Sequence, residues 1–228
     1  MESSNNGDLK ISGTGSTSGG LFNNVSISGT GNITGDLDCN NFSISGCGNV
    51  TGALKAQNAK ISGTANISGD VTCSQKFKIS GSSKLGGNLK AEQVQFSGSV
   101  KIDGDCNAEE FNGEGCFKIG GMLNSEKIEL ELAPWKSSAV EIGCGKIKIT
   151  STPIHRFVAF IKSTVTGNSF ILETGTIEGD DIYLEGTKAA IVRGGNVKIG
   201  SGCEIGLVEY SINFEQTGTA IVKESKKI

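Results

Sequence analysis

The sequence predicts an all-β fold: a right-handed parallel β-helix, or β-solenoid, with about 17 residues per turn and a roughly triangular cross-section. Three observations predict it. A unit recurs: VSISGTGNITGDLDC at 25–39 is followed by FSISGCGNVTGALKA at 42–56. Within each unit, apolar and polar residues alternate over three or four positions, the pattern of a short strand with one buried face. Glycines then interrupt each run at fixed places, where a bend needs a conformation or a clearance that a side chain denies.

The Ile-Ser-Gly triplet sets the period. Its first position falls at Ile11, Ile27, Ile44, Ile61, Ile79, Phe96 and Phe111, at spacings of 15 to 18 residues. The same ruler aligns other columns. Ile33, Val50, Ile67, Leu85 and Ile102 form one, and Leu37, Leu54, Val71, Leu89 and Cys106 another. Small residues hold a third, at Cys39, Ala56, Cys73, Ala91 and Ala108, and Val25, Phe42, Ala59, Phe77 and Val94 a less regular fourth. Glycines stack as Gly29, Gly46, Gly63, Gly81, Gly98 and as Gly35, Gly52, Gly69, Gly87, Gly104. One unit cannot bury its own face; stacked units turn each column into a buried ladder. Ala91→Phe should therefore overpack the coil, and Lys90→Phe, one residue away on the outward phase, should not. Handedness is assigned by contrast with left-handed hexapeptide coils, which keep a stricter six-residue subrepeat.

The domain organisation follows from the register. Residues 1–8 are expected to be a flexible tail, 9–124 regular repeats, 125–175 irregular strands with an excursion from the coil, 176–214 further solenoid turns, and 215–228 a C-terminal tail. The excursion is placed around Ala133–Ser138 and Ser151–Arg156. The solenoid parts are expected to form one stack, since no Pro- or Ser-rich linker divides them.

Composition narrows the function. Among 228 residues there are 34 glycines but 2 prolines, which excludes collagen. The recurring Ile, Val, Leu and Phe exclude a Gly/Ser linker. A net charge of −3 gives no footprint for nucleic acid, and none is expected as a partner. The tail KESKKI reads as a solvated end. Seven cysteines carry no CxxC pair or metal-ligand spacing, and MESSNNGD carries no export signal. A reducing, cytoplasmic setting is expected, with Cys39, Cys73 and Cys106 acting as small buried hydrophobes.

No motif for chemistry stands out. His155 is the sole histidine, next to Arg156 and near Pro153. Asp103-Gly104-Asp105-Cys106-Asn107 with Glu114 resembles a calcium loop only loosely, because Ala108 stands where the loop needs glycine. There is no phosphate loop. Asn24, Asn32, Asn41, Asn49 and Asn66 sit in N-x-S/T and read as polar corners copied by the repeat. Val197–Gly206 has a hexapeptide cadence for two hexads, too short for an acyltransferase coil. No catalytic residue, metal or cofactor is assigned.

The run Ile27-Ser28-Gly29-Thr30-Gly31-Asn32-Ile33-Thr34-Gly35-Asp36-Leu37, with its copies through Gly104, resembles the bactofilins, polymer-forming cytoskeletal proteins of bacteria. Gly179–Glu185, Val192-Arg193-Gly194 and Cys203–Tyr210 look like the C-terminal part of a longer branch of that family. The resemblance covers roughly residues 9–120 and 176–211. It implies a right-handed β-helix that polymerises end to end without nucleotide, often on the inner membrane face; the short apolar anchor of some members is missing from MESSNNGD.

The expected function is a bactofilin-like structural protein that self-assembles into nucleotide-independent filaments or scaffolds. Its partner is itself, head to tail, with a membrane surface or another cytoskeletal protein as a weaker second. The core columns Ile27, Ile44, Ile61, Ile33, Val50, Ile67, Leu37, Leu54, Val71, Cys39 and Cys73 would hold the coil, and Leu9, Ile11, Val208 and Tyr210 would form the self-associating end rungs. The alternatives are a solenoid enzyme of acyltransferase or polysaccharide lyase type, which needs a histidine base or a carboxylate cluster, and a secreted β-helix adhesin, which needs an export signal.

Overall fold

A computed structural model describes residues 7–133, 135–151 and 172–228. Its described residues form only β-strands, and the strand pairings among them are parallel. The chain divides into two compact units, Met1–Glu110 and Phe111–Ile228. His155 and Arg156, with Pro134 and residues 152–154 of the expected excursion, lie outside the described residues.

Unit 1 holds β1 (Leu9–Val50), β2 (Leu54–Ile61), β3 (Thr64–Ile67), β4 (Val71–Leu85), β5 (Leu89–Ile102) and the start of β6 (Cys106–Ile119). The chain runs round a coil and returns one rung higher. Leu37 pairs with Leu54, Leu54 with Val71 and Val71 with Leu89, steps of 17, 17 and 18 residues. Each rung pairs along three short segments, for example Leu37–Cys39, Asn41–Ile44 and Cys47–Val50. These are the three faces of a β-solenoid.

The glycine corner explains how so tight a bend is made. Gly29, Gly46, Gly81 and Gly98 have φ of +127°, +143°, +149° and +129°, which L side chains rarely adopt. A Cβ at Gly46 would also collide with the carbonyl oxygen of Gly29 below it, and one at Gly29 with that of Gly13. Backbone lies on backbone at this corner.

Unit 2 continues with β7 (Met122–Leu132), β8 (Ser137–Ser138), β9 (Glu141–Ser151), β10 (Leu172–Leu184), β11 (Thr187–Ile199), β12 (Glu204–Gln216) and β13 (Ile221–Lys227). Its core columns run Leu123, Ile142, Ile177, Val192, Val208 and Ile128, Ile147, Ile182, Val197, Phe214. The rung length varies here. Ile142 meets Ile177, 35 residues on, whereas Ile177 meets Val192 after 15.

The segment 215–228 differs from the expected tail. Ile221–Lys227 pairs with Glu204–Tyr210, because Val222 continues the apolar phase of Ile205. Val208 and Tyr210 are consequently not the last rung: Ser225 stands over Val208, which is fully buried, and Lys227 over Tyr210.

Candidate functional site

The residues with functional weight fall into four groups: inward columns, polar ladders, thiols and end rungs. Ile27, Ile33, Ile44, Ile61, Ile67, Val50, Leu37, Leu54 and Val71 are at most 1 % exposed, and Cys39 and Cys73 are buried beside them. The register stacks Cys39 on Ala56, Cys73 and Ala91 in turn. Ala91 is buried and Lys90 exposed. Burying a Leu, Ile or Val side chain is worth roughly 1.5–3 kcal/mol, so these columns dominate cohesion between rungs.

A further inward column escaped the sequence reading. Gly31, Gly48, Ala65, Ser83 and Val100 are all buried, and Gly48 pairs with Ala65, Ala65 with Ser83 and Ser83 with Val100. A Cβ at Gly48 would strike Cδ1 of Ile44, so that side chain would have to shift to admit it. Three rungs later the same position holds a valine. The signal was present in the period, but the changing residue size hid it.

The asparagines form ladders. Asn49 donates to Asn32 Oδ1 at 2.7 Å and Asn66 donates to Asn49 Oδ1 at 2.8 Å. A second ladder begins at Asp8, which accepts from Asn24; Asn24 accepts from Asn41 at 3.0 Å. Asn58 then donates to Gln75. The aspartates serve the corners in another way. Asp36 accepts the backbone N–H of Ala53 at 2.8 Å, Asp70 that of Asn88 at 2.7 Å, and Asn88 that of Asp105 at 2.9 Å. Each bond spans one rung, so these carboxylates and amides bind the stack to itself. Asp103 pairs with Lys101 at 2.6 Å. Among the described residues no three His, Cys, Asp or Glu side chains converge as a metal site.

Burial pushes the thiols of Cys39, Cys73 and Cys106 up to about 12; a nearby Asp38 adds to the effect at Cys39 and the Cys39 thiol at Cys73. Cys144 also rises to about 12, through burial and then Asp180 and Glu126, and Cys203 to about 11 through burial. A thiol that stays protonated is a poor nucleophile and metal ligand. Cys47 is exposed at its corner.

Unit 2 bears a groove of about 390 Å³ over one face. Its polar rows are cross-linked between rungs by Lys146 to Asp181 at 3.4 Å and Lys198 to Glu215 at 2.9 Å, while Lys127 pairs along its own strand with Glu129 at 3.1 Å. The Tyr183 hydroxyl donates to Glu185 at 2.5 Å, which pushes the phenol up to about 12. On another row Arg193 lies between Glu209, at 2.7 Å, and Glu178, at 3.7 Å, in the adjoining rungs. Acids and bases here neutralise one another between rungs.

At the N-terminal edge of unit 1, Leu9 is half-buried and Ile11 buried. At the C-terminal edge of unit 2, β13 covers only the Glu204–Tyr210 part of β12. No described strand lies beyond Asn213–Gln216, where Phe214 is half-exposed and rests against Tyr210 with ring centroids 5.6 Å apart.

Comparison with known proteins bears on these surfaces. The family model described as "Bactofilin: Polymer-forming cytoskeletal" matches residues 2–107. The chain is 36 % identical over 103 residues to the uncharacterized protein YhbE of Bacillus subtilis (strain 168), covering 45 % of this chain and 41 % of that one. It is 50 % identical over 52 residues to the uncharacterized protein YhbF of the same strain, 23 % of this chain and 22 % of the relative. The match thus spans less than half of each curated relative. No solved structure matches significantly.

Proposed function

We propose that this chain, whose residues 2–107 match the bactofilin family model, is a structural protein that assembles end to end into cytoskeletal filaments or scaffolds without nucleotide. The observation that carries the proposal is the rung-to-rung stack itself. Parallel rungs carry their hydrogen-bonding groups along the stack, so an uncovered final rung offers backbone donors and acceptors to another copy. The side chains with chemical potential are spent between rungs: Asp36 and Asp70 on backbone amides, and Arg193, Lys146 and Lys198 on acids. A ladder tied together rung by rung in this way suits a structural role. The family's polymer-forming description supports self-association as the main interaction, head to tail in the simplest arrangement.

The cytoplasm is the proposed setting, and the inner membrane face a secondary site. Among the described residues, no helix is long and apolar enough to cross a membrane.

The test is sedimentation of purified protein after apyrase treatment, over a range of protein and salt concentrations. The protein should pellet equally with and without ATP or GTP. Strict dependence on a nucleotide, or a monomer under every condition, refutes the proposal. A His155→Ala variant separates off the enzyme alternative: biological function should persist in it.

A further inference from the structure

Polar side chains of unit 1 are repeatedly spent on neighbouring rungs. Asn41 donates to Asn24, and Asn58 to Gln75. Lys55 pairs with Asp38 at 3.4 Å. Where Lys101 stands over Lys84, Asp103 meets the Lys101 ammonium at 2.6 Å and relieves the like-charge stack.

One cluster on the sheet face of β2, β4 and β5 has no such relief. Lys78 of β4 stands directly over Lys60 of β2, and Lys76 lies two residues before Lys78 on the same strand. Lys60 lies between buried Ala59 and Ile61, and Lys76 and Lys78 flank buried Phe77, so all three point outward. On the next rung Gln93 and Gln95 stand over Lys76 and Lys78 and flank buried Val94. Among the described residues none of these five side chains has a hydrogen bond or an ion pair. Glu92, exposed at the neighbouring corner, pairs with none of the lysines.

Like charges directly opposite each other on adjacent strands repel. Here the lysine stems start about 4.8 Å apart across the rungs and about 7 Å apart along the strand. Their ammonium groups can therefore converge on one ligand, with the two glutamine amides as further donors. The complement of such a field is a compact ligand with several acceptor oxygens and more than one negative charge. Lysine ammoniums act as point charges on phosphoryl oxygens, and the arginine fork that favours carboxylates is missing from the cluster. Phe77, Val94 and Phe96 are buried under this face. It thus offers no aromatic ring to stack on a base and no apolar side chain to enter a lipid surface.

We infer that Lys60, Lys76 and Lys78, with Gln93 and Gln95, bind a soluble condensed phosphate of two or three linked phosphoryl groups. The bound anion bridges β2, β4 and β5 from outside, as Asp36 and Asn49 bridge rungs from within the chain. It neutralises the stacked lysines, and because it binds the folded coil alone it stabilises that coil. The site lies on the side of the coil and is independent of end-to-end assembly.

The experiment uses the full chain, with tripolyphosphate, orthophosphate and sodium chloride compared at equal ionic strength by thermal melts and isothermal titration. Tripolyphosphate should raise the melting temperature and bind more tightly than orthophosphate, and chloride should do neither. Lys60→Gln and Lys78→Gln should each weaken tripolyphosphate binding by roughly tenfold, the loss of one charge-assisted contact. Lys90→Gln, in the Leu89–Ala91 segment of another face, should bind like wild type. Melts without ligand check folding; if Lys78→Gln melts early, the exposed Lys60→Gln decides. An equal shift with chloride overturns the inference, as does a Lys60→Gln/Lys78→Gln double variant that binds like wild type. Flotation with phosphatidylglycerol and phosphatidylcholine vesicles separates the lipid source. Lysine-dependent capture by phosphatidylglycerol without tripolyphosphate binding overturns the inference in favour of a membrane surface. Filament formation in these samples is a separate readout and tests only the proposed function.

Discussion

Asn49 donates its side-chain amide to Asn32 at 2.7 Å and in turn accepts from Asn66 at 2.8 Å, so one residue joins three rungs. A net hydrogen bond between part-exposed amides is worth about 0.5–1.5 kcal/mol. Asn49→Ala removes two of them and should lower unfolding stability by about 1–2 kcal/mol. Urea denaturation checks this; an unchanged midpoint would mean that water replaces the ladder without loss.

The glycine corner separates two costs. Gly46→Ala meets both a φ of +143° and the Gly29 carbonyl, whereas Gly35→Ala meets a φ of +94° with nothing within 4 Å. Gly46→Ala should cost about 2–4 kcal/mol and Gly35→Ala about 1–2 kcal/mol. Thermal melts of the two variants should preserve that order; equal losses would show that φ alone sets the requirement.

Ser83 is buried, and its hydroxyl has no hydrogen-bond partner among the described residues. Its column neighbours are Ala65 and Val100. Ser83→Ala removes an unsatisfied polar group at the expense of one atom of packing. Stability should hold or rise by about 1 kcal/mol. A clear loss would reveal a bridging water or a packing role for the oxygen.

Alkaline pH should weaken the fold through its thiols. An unfolded thiol keeps its ordinary value near 9.0, whereas burial pushes folded Cys39, Cys73 and Cys106 up to about 12. Above pH 9 the unfolded chain binds fewer protons than the folded one, so unfolding stability falls as pH rises. The contribution is fully present below pH 9 and is lost progressively towards pH 12. Cys73→Ala, which matches Ala56 and Ala91 in the same column, should make the pH 8–11 denaturation series shallower. An identical slope would place the alkaline sensitivity elsewhere.

Much of unit 1 was legible in the sequence because its rungs keep one length. Leu37, Leu54, Val71 and Leu89 pair in the register that the spacing of Ile-Ser-Gly implied. The column from Gly31 to Val100 was not legible, since its residue grows from glycine through alanine and serine to valine along the stack. The asparagines were read as copied corners; their hydrogen bonds along the stack needed the 17-residue register in three dimensions. Unit 2 resisted because its rungs run from 15 to 35 residues, which no fixed ruler detects. β13 was missed for a different reason. A strand that closes a stack must be polar, and KESKK reads like a tail until Val222 is set over Ile205.

Cryo-electron microscopy of the purified protein, treated with apyrase, tests the central claim most directly. The account predicts filaments whose power spectrum carries a meridional layer line at about 4.8 Å, from rungs stacked along the filament axis. Particles that stay monomeric at every concentration and salt, or filaments whose 4.8 Å spacing lies off the meridian, would contradict end-to-end assembly.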